Sequence, residues 1–178
     1  MDVINTRRSV RAYTDKHPDD ELINELLKAA VQAPTAMHQE QWGFAVVQNK
    51  VVLKRYSDRA KEAATVPARH PEMLDDPGFN IFYDAGTLIV ICCRQSGPFA
   101  EADCWLAAEN LMLAAAVRGL ATCCIGFGVQ VLNTPEVKRE LHIPYEGAAV
   151  APIILGYARG SVAAVPRKAP EILSWTRE

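Results

Sequence analysis

The feature of this sequence that most constrains its fold is a long apolar segment ending at Gly119. Residues 99–118 predict a helix, and glycine commonly follows the last turn of one. From residue 106 to residue 117 this helix would be apolar nearly all round, and such a helix is buried on every side. Because the chain has only 178 residues, we expect a partner subunit to cover one face of the helix.

Other helices are indicated by the spacing of apolar residues. The pattern predicts a helix over residues 22–31, which stops at Ala33 because a residue before proline avoids the helical conformation. Residues 51–64 predict a charged, amphipathic helix. Thr134 and Pro135 mark the start of another helix, with threonine as its cap and proline at its first position.

Short apolar runs predict four strands, at residues 44–47, 87–93, 121–125 and 148–157. Pro152 lies in the last of them, which implies a sheet edge or a bulge there. The proline-containing residues 65–80 predict a loop, and residues 171–175 a last turn in a polar tail. Because helices and strands alternate without a strict βαβ rhythm, we predict one α+β domain over residues 1–178, with helices packed on a central sheet.

Charge and composition exclude several classes of protein. The formal net charge of -2 argues against nucleic-acid binding, which usually requires a basic excess. There is no basic and apolar leader and no apolar run near the ~20 residues that span a bilayer, so we expect a cytoplasmic protein. The five cysteines include the adjacent pairs Cys92-Cys93 and Cys123-Cys124. Neighbouring strand residues point to opposite faces, so we expect buried thiols, not metal ligands or disulfides.

Two segments in the first quarter of the chain carry candidate binding residues. Residues 7–11 read Arg-Arg-Ser-Val-Arg, and arginine supplies planar, always-charged donors that suit a phosphate or an anionic ring edge. Residues 33–42 connect a helix end to a strand start, a position that often forms a binding loop. Each segment alone is also explained structurally, the first as a solvated basic terminus and the second as a well-packed turn.

Two further segments lie late in the chain. Residues 123–128 place Gly126 and Gly128 at the end of a strand, where backbone can approach a ligand closely. Residues 166–168 contain Arg167 and Lys168, a basic point in the tail. Taken singly, the first is also typical of an ordinary turn and the second of plain surface charge.

The order and spacing of the four segments resemble the nitroreductase family of FMN enzymes. That family opens with Arg-Arg-Ser-x-Arg, here residues 7–11, and continues with Ala-Pro-Ser-x-x-Asn-x-Gln-Pro-Trp, here matched by residues 33–42. A Pro-Glu-Val-Lys helix start follows at residues 135–138, then Leu-Gly-Tyr at 155–157 and a basic residue, Arg167. The resemblance covers nearly the whole chain, and the ordered set is more specific than any single motif.

The resemblance implies a nitroreductase-like fold: a central mixed sheet covered by helices, in an intertwined homodimer. It implies an oxidoreductase that takes hydride from NADH or NADPH through FMN and reduces nitroaromatics, quinones or activated alkenes. One pocket that serves donor and acceptor in turn implies ping-pong kinetics, with no dedicated acid–base residue and no metal. The residues implied to contact FMN are Arg7, Arg8, Ser9, Arg11, Pro34, Thr35, Ala36, His38, Cys124, Ile125, Gly126 and Arg167.

The resemblance also implies which part of FMN each of these residues contacts. Arg7, Arg8 and Arg167 would bind the phosphate, and Ser9 the phosphate or the ribityl chain. Arg11 would face the flavin N1 and C2 oxygen, where negative charge gathers on reduction. Backbone N–H groups of Ile125 and Gly126, flanked by Cys124, would approach N5. Pro34, Thr35, Ala36 and His38 would reach the flavin from the other subunit.

The loop at residues 33–42 departs from the family pattern. His38 stands where asparagine is common, and Glu40 and Gln41 where glutamine and proline are common. The His-x-Glu spacing is closer to a subset that includes iodotyrosine deiodinases, although residues 54–80 look too short and too rich in proline to form the lid of those enzymes. A reductive dehalogenase, a non-catalytic flavin-binding protein and a non-flavin helical interaction protein therefore remain alternatives. The sequence leaves open the acceptor, NADH against NADPH, the role of His38 and a lid at residues 65–80.

Overall fold

The computed structural model describes residues 2–63 and 75–177, and its centre is a four-stranded sheet. In sheet order β1-β2-β4-β3, the strands are β1 (Trp42–Val47), β2 (Thr87–Cys93), β4 (Ala148–Gly156) and β3 (Ala121–Cys124). The three strand pairings are antiparallel. An isolated parallel bridge from Ser9 to Thr122 makes the sheet mixed. The predicted α+β class with a central mixed sheet is confirmed.

β4 is a central strand, so an edge position for Pro152 is wrong. Pro152 pairs with Val90 of β2, and the ladder between these strands shifts register after Ile91, close to Pro152. The Pro152 carbonyl accepts from the N–H of Ile125 at 2.9 Å. Because Ile125 lies opposite Pro152, the N–H that proline lacks would face the carbonyl of Ile125. That carbonyl accepts instead from the N–H of Gly128 at 3.0 Å.

Helices cover both faces of this sheet. They are α1 (Asp2–Thr6), α2 (Asp20–Ala30), α3 (Lys50–Glu62), α4 (Ala100–Val117), α5 (Gly128–Leu132) and α6 (Pro135–Glu140). Helices α2 and α4 pack against the face formed by alternate residues such as Ile89 and Ile91. Helices α3, α5 and α6 pack against the other face, which includes Leu88 and Val90. Burial on both faces explains why β2 is apolar throughout and does not alternate.

Helix α4 is the apolar helix predicted from the sequence, and it ends before Gly119, which adopts a φ of 71°. One of its faces, including Cys104 and Leu111, is fully buried against the sheet and α2. The opposite face is not covered: Trp105 is 43%, Leu106 46% and Val117 71% exposed. The sequence predicted that α4 is buried on every side, but a single chain buries only one side of this helix.

The ends of the other helices show where local sequence signals succeeded. Asp19 caps α2 by accepting from the N–H of Leu22 at 2.9 Å. Thr134 and Pro135 do begin α6, but the threonine hydroxyl donates to the carbonyl of Val131 and caps no N–H group. A last turn at residues 171–175 is wrong, because that segment lies exposed without regular structure.

Several predictions concern segments outside these elements. Helices α1 and α5 and a 3₁₀ turn, Ala36–His38, were not predicted. Of the predicted loop at residues 65–80, residues 65–74 lie outside the described part of the chain. All five cysteines are free; four are buried and Cys124 is half-buried.

Neither a membrane-spanning helix nor a metal-binding cluster occurs among the described residues. Within the ranges given above, no helix has the length and apolar character needed to cross a membrane. In the same part of the chain, no three His, Cys, Asp or Glu side chains cluster as metal ligands would.

Candidate functional site

The arginine segment runs beside the edge strand β3. Ser9 forms its bridge with Thr122, and the N–H of Val10 donates to the Thr122 carbonyl at 3.0 Å. Next to this junction is an open cavity of about 300 Å³, bounded by the end of α4, the start of β3 and the first tail residues. Of the site residues predicted from the sequence, Arg7 and Arg8 line it. The backbone pairing therefore places two guanidinium groups at one cavity.

Arg7 and Arg8 are half-buried and are held by few partners. One nitrogen of Arg8, Nη1, donates to the carbonyls of Asn5 at 2.7 Å and Arg7 at 2.8 Å. The Arg7 Nε lies 3.8 Å from a carboxyl oxygen of Glu109 on α4. Since each guanidinium has five N–H donors, most of them have no partner among the described residues and can bind an anion in the cavity.

The arginine segment affects the acidity of the Cys123 thiol. Burial raises the pKa of this thiol, and the positive charges of Arg11 and Arg7 and the Ser9 hydroxyl oppose the increase. The Arg11 guanidinium lies 5.8 Å from the centre of the Tyr83 ring, a distance at which a cation is attracted to the ring face. Tyr83 has a φ of 52°, a strained conformation for a bulky residue. Ser9 and the three arginines of residues 7–11 thus lie together beside β3.

The backbone at the end of β3 offers one donor to a ligand and not two. The N–H of Ile125 is taken by the carbonyl of Pro152, and the Ile125 side chain is buried. Gly126 is exposed, and its N–H has no acceptor among the described residues. A Cβ added to Gly126 would meet nothing within 4 Å, so a planar group can approach this backbone closely. The half-buried Cys124 flanks this position, and burial raises its pKa to about 11.

The loop after α2 projects its side chains outwards. Met37 is 83% exposed, and Pro34, His38 and Glu40 are also exposed. Met37, His38 and Glu40 have φ values of 55°, 52° and 49°, conformations that non-glycine residues seldom adopt. A cavity of about 260 Å³ lies between this loop and the Gln95–Phe99 turn, with Asp103 in its lining. The loop is therefore a strained, exposed structure with room beside it.

The loop and the arginine cavity lie apart in a single chain. The cavity meets α4 at Ala116, whereas the N–H of Ala36 is bonded to Asp103 of the same helix. The thirteen positions between these two helix residues correspond to about 20 Å along the axis. Arg167 lies in the exposed tail and has no hydrogen bond or ion pair with the described residues. One chain thus brings the arginines of residues 7–11 beside β3, but not the loop or Arg167.

Sequence reasoning missed three residues that shape the site. Glu109 partners Arg7, Tyr83 lies under Arg11, and Asp103 holds the loop. Asp103 and Glu109 carried a usable signal, because they are acidic residues inside the most apolar helix of the chain. Tyr83 carried none, since its place depends on the strained turn after residue 80.

Comparison with known proteins identifies the fold. The model of the nitroreductase family matches residues 4–157 of the chain. The chain belongs to the nitroreductase family. This confirms the resemblance carried by the arginine segment, the loop and the Leu-Gly-Tyr strand end.

Individual members of the nitroreductase family align over most of both chains. A protein of Methanothermobacter thermautotrophicus, provisionally named NADH dehydrogenase/NAD(P)H nitroreductase, is 30% identical over 88% of this chain and 76% of its own length. An iodotyrosine deiodinase of Thermotoga neapolitana is 26% identical over 88% of this chain and 87% of its own. The crystal structure of a Bacteroides fragilis nitroreductase with bound FMN superposes with a TM-score of 0.83 at 31% identity, covering 98% of this chain and 96% of that one.

Proposed function

We propose that this protein is an FMN-dependent oxidoreductase that takes hydride from NADH or NADPH and reduces small electron-poor acceptors such as nitroaromatics or quinones. The observation that carries the proposal is that Arg7 and Arg8 line an open cavity beside β3, the strand that leads to the exposed Gly126, whose N–H has no acceptor among the described residues. The FMN-bound relative from Bacteroides fragilis supports the choice of cofactor.

The residues present suit the two ends of FMN. Arg7 and Arg8 retain free donors at an open cavity, and planar guanidinium groups match a phosphate well. Ser9 is exposed beside them and can donate to the phosphate or to the ribityl chain. Arg167 is assigned to the phosphate as well, as the exposed cation of the tail.

The isoalloxazine end would lie against the turn after β3. Bound FMN supplies a ring that accepts hydride at N5 and passes the electrons to an acceptor. The Gly126 N–H would be available to donate a hydrogen bond to the ring, with Cys124 beside it, while Ile125 anchors the turn through Pro152. Arg11 supplies a positive charge for the pyrimidine side, and the Tyr83 ring beneath it helps to keep that charge in place.

We also propose a homodimer, in which the loop of one chain completes the site of the other. The support is twofold: one chain leaves an apolar face of α4 uncovered, and it holds its own loop about 20 Å along α4 from the arginine cavity. Pro34, Thr35, Ala36 and His38 would then contact the flavin of the partner. Donor and acceptor use the same open space in turn, so initial-rate kinetics should be ping-pong.

The first test is the visible absorption spectrum of the purified protein, followed by addition of NADH or NADPH without air. We expect a flavin spectrum that bleaches with at least one nucleotide, and FMN as the flavin released on denaturation. Protein that is colourless and takes up no added FMN would overturn the proposal. A bound flavin that neither nucleotide reduces would point to a flavin-binding protein without this activity.

A tail variant tests the assignment of Arg167. Changing Arg167 to alanine should weaken FMN binding about tenfold, the loss expected for one charge-assisted contact to phosphate. Lys168→Ala is the matched control, because it removes the neighbouring charge, and it should bind FMN like the unchanged protein. Equal affinity in the two variants would remove Arg167 from the site.

Reductive dehalogenation is the second candidate function. It is favoured by the His38-x-Glu40 spacing and by the deiodinase relative from Thermotoga neapolitana. The reduced protein should be incubated with 3-iodotyrosine, and released iodide measured beside turnover of a nitroaromatic and a quinone. Iodide release without nitro or quinone turnover would replace the first proposal with this one.

A further inference from the structure

Asp103 is a buried acidic residue with a single described partner. It lies in the first turns of α4 and is 5% exposed. The N–H of Ala36 lies 3.2 Å from its Oδ1 and 3.3 Å from its Oδ2, and no other described group bonds these oxygens. Because burying an acidic group is costly unless it is hydrogen-bonded, the contact with Ala36 accounts for the presence of Asp103 at this position.

The segment that Asp103 holds cannot be stabilised by its own packing. Met37, His38 and Glu40 have positive φ values, each of which costs of the order of 1–3 kcal/mol. Their side chains are exposed and recover little of this cost by burial. The loop is instead fixed at its ends, at Ala36 by Asp103 and at Gln41, whose carbonyl accepts from the N–H of Arg94 at 2.6 Å.

Helix α4 also contacts the start of the turn that leads from α2 into the loop. Asn110 lies two turns after Asp103 on the same helix face, and its side-chain nitrogen donates to the carbonyl of Ala29 at 3.4 Å, near the end of α2. Asp103 and Asn110 therefore hold the two ends of the turn between residues 29 and 36. The contact at Asn110 does not reach residues 37–40, so without the contact at Ala36 the described contacts would fix these residues to the rest of the fold only at Gln41.

We propose that Asp103 is a positioning residue: through the N–H of Ala36 it holds the loop in the conformation in which Pro34, Thr35, Ala36 and His38 contact the flavin of a second copy of the chain. The inference rests on the proposed function, in which this loop completes the site of the partner. Asp103 acts through Ala36 and not by touching the cofactor.

The test compares Asp103→Ala, Asp103→Asn and the control Glu101→Ala, which removes an exposed acidic residue of the same helix. Two quantities are measured, FMN affinity by fluorescence titration and hydrogen–deuterium exchange of the peptide over residues 34–41. For Asp103→Ala we expect about tenfold weaker FMN binding and faster exchange confined to that peptide. Asp103→Asn, whose amide oxygen still accepts from Ala36, should stay within about threefold of the unchanged protein, as should Glu101→Ala.

A proline at position 36 deletes the donor and leaves Asp103 in place. Thr35 has a φ of -126° and a ψ of 149°, an extended conformation compatible with a following proline, and proline suits the first position of a helical turn. Ala36→Pro should loosen FMN, and adding Asp103→Ala to it should cause no further loss. Ala36→Pro by itself therefore also tests the contact if Asp103→Ala folds poorly.

Two results would overturn the assignment. One is unchanged exchange over residues 34–41 in Asp103→Ala, and the other is a full additional loss of affinity when Asp103→Ala is combined with Ala36→Pro. If the unchanged protein binds no FMN, the proposed function fails, but the exchange measurement still shows whether Asp103 holds the loop. The two failures are thus separable.

Discussion

Burial sets the acid–base behaviour of the thiols. Cys104 is fully buried between α4 and the sheet, and desolvation raises its pKa to about 12. In the unfolded chain a thiol titrates near pH 8.5. Between these values the unfolded chain loses a proton that the folded chain keeps, so the contribution of Cys104 to stability is complete below about pH 8.5 and is lost as the pH rises towards 12.

We therefore predict that the free energy of unfolding falls between pH 8.5 and 10.5, with Cys104 contributing up to about 1.4 kcal/mol per pH unit. Urea unfolding in a reducing buffer measures it. Cys104→Ala should be about 1 kcal/mol less stable at pH 7.5, because of the small cavity it leaves. Its stability should decline less steeply at alkaline pH, and parallel curves for the two proteins would contradict the prediction.

At the scale of residues, the sequence predicted the chemical type of a site residue better than it predicted which group that residue bonds. Arg7 and Arg8 do line one cavity, as arginines clustered for an anion would. The N–H of Ile125, however, is used by Pro152, and the buried Asp103 was missed. Each of these two hydrogen bonds depends on which residue, distant in the sequence, the fold brings close. A local sequence pattern does not determine that.

The ends of helices show how far local sequence alone determines where a helix begins. Asp19 caps α2 through the N–H of Leu22, and we predict that Asp19→Ala lowers the free energy of unfolding by about 1 kcal/mol. Asp20→Ala is the matched control, because Asp20 lies in the first turn without capping and should cost less than about 0.5 kcal/mol. Chemical denaturation measures both, and equal losses would mean that charge at the helix start, and not the cap, is what stabilises α2.

The predicted elements failed where tertiary context overrode local preference. Pro152 indicated a sheet edge or a bulge: the edge is wrong because β4 is central, and the register shift beside Pro152 bears out the bulge. Helix α5 has only five residues and starts at Gly128, so no apolar repeat could reveal it. The long, strongly patterned α4 was predicted to within one residue at each end.

For the molecule as a whole, the sequence predicted the fold class and the family. The structure of one chain explains why the sequence could not predict how two chains assemble. The apolar pattern of α4 indicated burial on all sides, but one chain covers only the face with Cys104 and Leu111. The same chain separates its loop from its arginine cavity along α4. Both facts depend on where a second copy of the chain would bind. That position is set by the shape and chemistry of the folded surface, which a local sequence pattern does not encode.

A charge on the uncovered face of α4 tests this assembly. Leu106 is half-exposed there, and Leu106→Lys would place an unpaired charge in the proposed interface, a cost that should separate the dimer. We predict that analytical ultracentrifugation shows a dimer for the unchanged protein and a monomer for Leu106→Lys. Because the loop of the partner would then be missing, FMN binding should weaken at least about tenfold in the same variant.

Val51→Lys is the control for this experiment, since Val51 is 79% exposed on α3, away from α4. It carries the same new charge and should remain a dimer that retains FMN. A dimeric Leu106→Lys protein would show that the α4 face is not the interface. A monomer with unchanged FMN affinity would show instead that one chain holds the cofactor alone, and Pro34, Thr35, Ala36 and His38 would then have no part in the site.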